Sequence, residues 1–171
     1  MEPAGKLVEQ LSQAGSSGKI SFVKCDVTKY DDLYALFKTA HDKYGRVDHA
    51  VACAGIFEQG SWFDPALNVE TVGQERATTV VIDVNVIGSA NFARIAVVFL
   101  RDGLQKDGNR SLTLLSSVNA FRESPGLYMY QVSTHNNSVG MRCVVGLLTK
   151  ATPDLQTCHT RPDASNAQAD L

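Results

Sequence analysis

Residues 111–135 read SLTLLSSVNAFRESPGLYMYQVSTH. The first six, Ser111 to Ser116, are short, apolar and bounded by polar residues, which predicts a buried strand. It closes on the pair Ser116-Ser117, and a helix is expected to begin near Leu127. Thirteen residues past Ser117 stands Tyr130, and four past that stands Thr134. A hydroxyl at a strand end and a phenol on the next helix can share one proton-transfer site. A cation one turn beyond the phenol would complete it, yet the position holds a threonine. Taken alone, the spacing is also what coincidence produces.

Working outward, Ile20 to Cys25 (ISFVKC) is rich in branched and aromatic residues and predicts a strand. Thr28 is a candidate cap for a helix whose apolar face carries Leu33, Leu36, Phe37 and Ala40 and which Gly45 ends. Val47 to Cys53 (VDHAVAC) predicts a second buried strand. A loop with Gly55, Gly60 and Pro65 follows, then a long helical segment from about 75 to 101. Residues 5–15 read as the end of a helix stopped by Gly15. Strands each followed by a helix predict a parallel sheet with right-handed crossovers and helices on both faces. The three strands are expected to be parallel and adjacent. Ligands in such sheets sit beyond the carboxyl ends of the strands. That sets Cys25-Asp26, Cys53-Ala54-Gly55 and Ser116-Ser117 along one edge.

Composition narrows the function classes. With 44% hydrophobic and 20% charged residues the chain of 171 reads as one globular domain, over 1–150, and a polar tail, 151–171, expected to be disordered. A net charge of −2 offers no basic surface for nucleic acid. The most apolar stretch, Val80 to Leu100, contains Asp83, Asn85, Asn91 and Arg94, so it reads as a buried helix and not as a membrane span. No apolar or basic leader opens the sequence, and a cytoplasmic location is expected. Cysteines 25, 53, 143 and 158 form no CxxC, and the four histidines have no metal-ligand spacing, so no metal site is expected.

Asp26-Val27 after the first strand, Ala54-Gly55 after the second, Asn85 in the long helix, then Ser117 and Tyr130 form an ordered set. In that order they resemble the short-chain dehydrogenase/reductase family, over roughly residues 5 to 130. The resemblance implies an incomplete Rossmann-type, doubly wound parallel sheet in three layers, α/β/α. It implies an oxidoreductase using NAD or NADP on a small-molecule alcohol or ketone, and the surroundings of FRESPGLYMYQ suggest secondary metabolism. Asp26 would hydrogen-bond the adenine amino group, with Val27 beside the ring. Cys53-Ala54-Gly55 takes the place of the Asn-Ala-Gly turn along which the backbone approaches the cofactor. Asn85 would hold a water of the proton relay, Ser117 the substrate oxygen, and Tyr130 would be the acid/base and lie against the cofactor. The family's dimer interface maps to helices at about 75–101 and 127–145, which implies a homo-oligomer. Blander readings stand beside these: Asp26 as a turn residue, Asn85 as a buried polar group, Tyr128, Trp62 and Phe63 as packing.

Two departures bear on activity. A free phenol has a pKa near ~10, and the family lowers it with a lysine where this chain has Thr134. His135 is turned about 100° around the helix and is a poor substitute. Losing the cation costs about 10²–10⁴ in rate. No glycine-rich Thr-Gly-x-x-x-Gly-x-Gly turn precedes residue 20, so the sequence reads as truncated at both ends of the family's fold. An impaired or inactive enzyme is expected, with a non-catalytic, oligomerising or binding remnant as the alternative, and Thr134→Lys alone is not expected to restore turnover. The resemblance stops after Tyr130-Gln131 and resumes at 144–148, so Val132 to Cys143 reads as an insert. Gln-Val-Ser can encode a splice donor, which points to a translated intron.

Overall fold

The computed structural model describes residues 5, 6, 8–10, 20–74, 76–103 and 109–135. Of the helix expected over 5–15, residues 5, 6 and 8–10 are helical. The Gly15 stop, the stretch 136–148 and the tail 151–171 lie outside the described residues.

Helix α1 spans Tyr30–Tyr44. Asp31 and Asp32 in its first turn and His41 and Lys43 in its last complement the helix dipole. Gly45 ends it in the left-handed region at φ 78°, returning its N–H to the His41 carbonyl at 2.7 Å. Thr28 is not the cap. Its hydroxyl donates back to the Asp26 carboxylate at 2.7 Å, and Lys29 takes the cap position without a side-chain bond. Leu33 and Phe37, one turn apart, are buried.

Strand β1 is His49–Ala52 and strand β2 is Ser111–Leu114, paired in parallel with Ala50 opposite Leu112 and Ala52 opposite Leu114. Between them runs α2, Val80–Arg101, whose stretch Asp83–Gly88 is wound as a π-helix. Ala50, Leu112 and Leu114 join Ala93, Ile95, Ala96 and Leu100 of α2 in one core. Phe37 of α1 meets Phe92 and Phe99 of α2 at ring separations of 5.0 and 5.6 Å. By length and composition α2 could cross a membrane, but its apolar side is spent on this core. Val51 of β1 and Leu115 just past β2, half exposed, lie outside the core, in a sheet that a doubly wound fold covers on both faces. The last described element, α3, covers 128–135.

Ile20 to Cys25 forms no strand, which corrects the expectation of three adjacent ones. Cys25 and Val27 still pack against the core. The doubly wound order 3-2-1-4-5-6 supplies the reason. If β1 and β2 are the fourth and fifth strands, as the resemblance implies, the segment at 20–25 is the third, three places from β1 with two strands between them. No ladder from β1 reaches it.

The turn out of α2 is locked by Arg110, whose side chain is only 8% exposed. Its guanidinium donates to the carbonyls of Leu100 (2.9 Å), Asp102 (2.5 Å) and Gly103 (3.3 Å), and its Nε lies 3.4 Å from the Asp48 carboxylate. A cation at a helix C-terminus also meets the negative end of the dipole. Arg110→Ala is expected to destabilise the fold by about 2–4 kcal/mol in urea denaturation, through carbonyls left unpaired. Arg110→Lys should recover less than half of that, because an ammonium cannot reproduce the fork.

Candidate active site

Asn85 is 3% exposed and sits on the π-helical turn of α2. Its Oδ1 accepts the Ile56 N–H at 2.9 Å, and its Nδ2 donates to the Ile56 carbonyl at 2.9 Å and to Ser133 Oγ at 3.0 Å. One carboxamide therefore clamps both sides of a residue just past the Ala54-Gly55 turn and reaches α3. A Cβ on Gly55 would stand 3.4 Å from Asn85 Oδ1, in ordinary van der Waals contact. Gly88, three residues on, is tighter still: a Cβ would lie 3.0 Å from the Val27 carbonyl. The π turn thus touches two of the three loops marked by the sequence.

The third is bound through α3. Ser133, fully buried, donates to the Tyr130 carbonyl at 2.7 Å. Ser116 Oγ donates to the Thr134 carbonyl at 2.8 Å, tying the segment that carries Ser117 to the helix that carries Tyr130. Ser117 itself is extended, and its Oγ accepts the Asn119 N–H at 3.2 Å at the head of the turn Val118–Ala120. Gln131 Nε2 holds that loop through the Arg122 carbonyl at 2.5 Å, and His135 bonds the Ala120 carbonyl at 3.3 Å. His135 is a latch for the loop.

Glu58 completes the mounting of Tyr130. Its carboxylate accepts the N–H groups of Met129 at 3.3 Å and Tyr130 at 2.8 Å, satisfying donors that a helix start leaves open. The Phe57 ring lies 4.7 Å from the Tyr130 ring. Glu58, Phe57 and Ser133 were not singled out by sequence. Nothing about a lone Glu in a loop signals a helix cap, and Ser133 falls in the stretch read as an insert.

Asp26 closes its own turn. Its Oδ1 accepts from the Thr28 N–H and hydroxyl at 3.1 and 2.7 Å, and Lys29 stands 3.4 Å from Oδ2. These Thr28 bonds first, and Lys29 after them, hold the carboxyl below the ordinary carboxylate range. Burial, then the charges of Asp32 and Asp26, push the neighbouring Cys25 thiol up, so it stays uncharged at neutral pH. An apolar cavity of about 260 Å³ separates Cys25, Val27 and Leu33 from Val51, Ala54 and Phe92. It connects the Asp26-Val27 turn with the Cys53-Ala54-Gly55 turn. Cys53 is exposed at its rim.

Thr134 is 4% exposed, and its hydroxyl donates to the Gln131 carbonyl at 3.1 Å, a bond within its own helix. Helix α3 runs unbroken through residues 132–135. The sequence model of the family described as short chain dehydrogenase matches residues 1–137. The chain belongs to the short-chain dehydrogenase family. Of the stretch read as an insert, Val132 to His135 lie inside that match and within α3; 136–143 lie outside the described residues.

Among similar proteins is a short-chain dehydrogenase/reductase of Acremonium egyptiacum, 33% identical over 60% of this chain and 34% of that one. The 3-hydroxyacyl-CoA dehydrogenase type-2 of Drosophila melanogaster is 31% identical over 91% of this chain and 57% of its own. Among solved structures, a 3-oxoacyl-[acyl-carrier protein] reductase of Brucella melitensis in complex with NAD superposes with a TM-score of 0.69 at 23% identity, over 86% of this chain and 55% of that one. That likeness shows the Rossmann-type fold. The chain spans between about a third and three fifths of the length of these relatives.

Asn85→Leu keeps the approximate volume and removes three hydrogen bonds. It is expected to cost about 2–4 kcal/mol in denaturant unfolding and to speed hydrogen exchange at the Ile56 amide. Glu58→Gln, which keeps one acceptor, should cost less than Glu58→Ala, for which about 1 kcal/mol is expected.

Proposed function

We propose that this chain is an NAD(P)-dependent oxidoreductase acting on an alcohol or ketone, with Tyr130 as the acid/base. Ser117 hydrogen-bonds the substrate oxygen, and Asn85 organises the relay behind them. The observation that supports this most is the convergence on Tyr130: Glu58 on its N–H, Ser133 on its carbonyl, and Phe57 on its ring. Two adjacent residues of one distant loop, Phe57 and Glu58, and Ser133 of the same helix hold the phenol-bearing turn.

A nicotinamide nucleotide fits the other half of the edge. Asp26-Val27 and Cys53-Ala54-Gly55 flank the apolar cavity, and the small side chains of Ala54 and Gly55 leave the backbone open to close approach. Asp26 Oδ2, free of the Thr28 bonds, is the acceptor for an amino group. The nucleotide when bound supplies or takes the hydride; the chain's own residues hold the substrate oxygen and move its proton. In reduction, Tyr130 donates its proton to the oxygen while Ser117 steadies it; in oxidation it takes the proton back. Thr134 brings no positive charge to help form the phenolate, so turnover is slow. Self-association through α2 and α3 belongs to the same reading, with Ile87 and Val98 exposed on the outer side of α2.

Titration with NADH and NADPH, followed by nucleotide fluorescence, is expected to show saturable binding. Weak ketone reduction should fall by about 10²-fold or more in Tyr130→Phe. Thr134→Lys should leave it low, because an ammonium introduced at a site 4% exposed is costly unless paired. Turnover unchanged by Tyr130→Phe would remove the assignment. Absence of nucleotide binding would leave a non-catalytic binding protein.

A further inference from the structure

Ser117 and Tyr130 can act together only if the loop after β2 keeps a fixed spacing from α3. Apolar packing does not supply it. Val118 and Phe121, the large apolar residues of that loop, are 69% and 75% exposed. An open groove of about 450 Å³ is lined by Ala120, Phe121 and Arg122 from the loop and by Val132 and His135 from α3. A loop with so little buried apolar contact is placed by its polar ties.

Gln131 makes the central tie. It directly follows Tyr130, and its Nε2 donates to the Asn119 carbonyl at 3.4 Å and to the Arg122 carbonyl at 2.5 Å. Both hydrogens of the carboxamide are thereby spent on one loop. His135, one turn further along α3, adds its bond to the Ala120 carbonyl at 3.3 Å. Asn119 is also the residue that sets Ser117. Its N–H donates to Ser117 Oγ at 3.2 Å, and its own Oδ1 accepts from Ser124 Oγ at 3.0 Å. A hydroxyl has one hydrogen and two lone pairs. The Asn119 N–H occupies a lone pair, and no acceptor among the described residues takes the hydrogen. That hydrogen stays available to a substrate oxygen.

We infer, resting on the reading of Ser117 and Tyr130 as a working pair, that Gln131 is a positioning residue. Through Asn119 it registers the Ser117 hydroxyl against the Tyr130 phenol. It acts through Ser117 and not on the substrate itself.

Three variants of the full chain test this, each assayed for NADH- and NADPH-dependent reduction of cyclohexanone. Gln131→Leu and Gln131→Glu keep the approximate size and remove the donors. Each is expected to lower kcat about tenfold, with KM changed less than about threefold. Gln131→Lys restores N–H donors and should recover at least about threefold of the lost kcat. The Asn119 amide, which fixes Ser117, should exchange with solvent about tenfold faster in Gln131→Leu. Thermal melting reports whether each variant is folded at the assay temperature. A kcat unchanged in Gln131→Leu, a Gln131→Glu variant as active as the parent, or a loss that only follows the unfolded fraction would overturn the inference. So would unchanged exchange at Asn119. If the parent reduces no ketone, the oxidoreductase reading falls, and exchange at Asn119 alone decides whether Gln131 sets the loop.

Discussion

A single buried carboxamide sets the geometry of this fold. Asn85 offers two N–H donors and an acceptor oxygen, and it uses both donors and the oxygen on groups from two other segments. Aspartate would lose the donors and place a charge beside the Ile56 carbonyl; leucine would leave that part-buried peptide without its side-chain partner. Because the Ile56 peptide and Ser133 are both fixed to Asn85, the end of β1 and the inner face of α3 cannot shift independently. The π turn that carries Asn85 belongs to the same constraint. Such a turn interrupts the regular helix ladder, a cost found most often where a site requires it.

Close contact at glycine extends the constraint to the first turn. Gly88 follows Asn85 by three residues and lets α2 rest on the Val27 carbonyl so closely that a Cβ there would push the neighbour back by a few tenths of an ångström. The turn at Asp26-Val27, the turn at Ala54-Gly55 and α3 at Ser133 are therefore all referred to six residues of α2. Small changes on the buried side of that turn should propagate to each loop, whereas changes on its outer side should not. Glu58 adds a contact from the opposite direction, joining the β1 loop to the amides of α3.

Much of this was legible in the chain. The alternation of apolar runs and 3.6-residue stripes gave α1, α2 and the paired strands to within a few residues, because burial on one face leaves a periodic trace. Asn85, Ser117 and Tyr130 were picked out as candidates by their order. Ile20 to Cys25 was misread because strand composition describes a half-buried extended segment; a ladder also needs a neighbour at the right place in the sheet, and that is a property of topology. Thr28 was misassigned because a hydroxyl near a helix start can bond forward or backward, and Asp26 two residues earlier won. Glu58 and Ser133 left no trace, since their partners are backbone groups, which any sequence possesses.

The threonine at 134 is better understood from its burial than from the missing charge. A residue there faces inward, with its carbonyl fixed by Ser116 and its hydroxyl returned to Gln131. Threonine and serine tolerate burial in a helix by this return bond. A lysine in the same place would have to carry its ammonium out of the packed layer to a partner near the phenol. The position therefore has two stable solutions: a long cation with a defined partner, or a short hydroxyl that satisfies itself. This chain has the second. Ser133, one residue earlier and fully buried, keeps its bonds to Asn85 and to the Tyr130 carbonyl whichever solution is used. The mounting of Tyr130 thus rests on bonds that do not involve the Thr134 side chain.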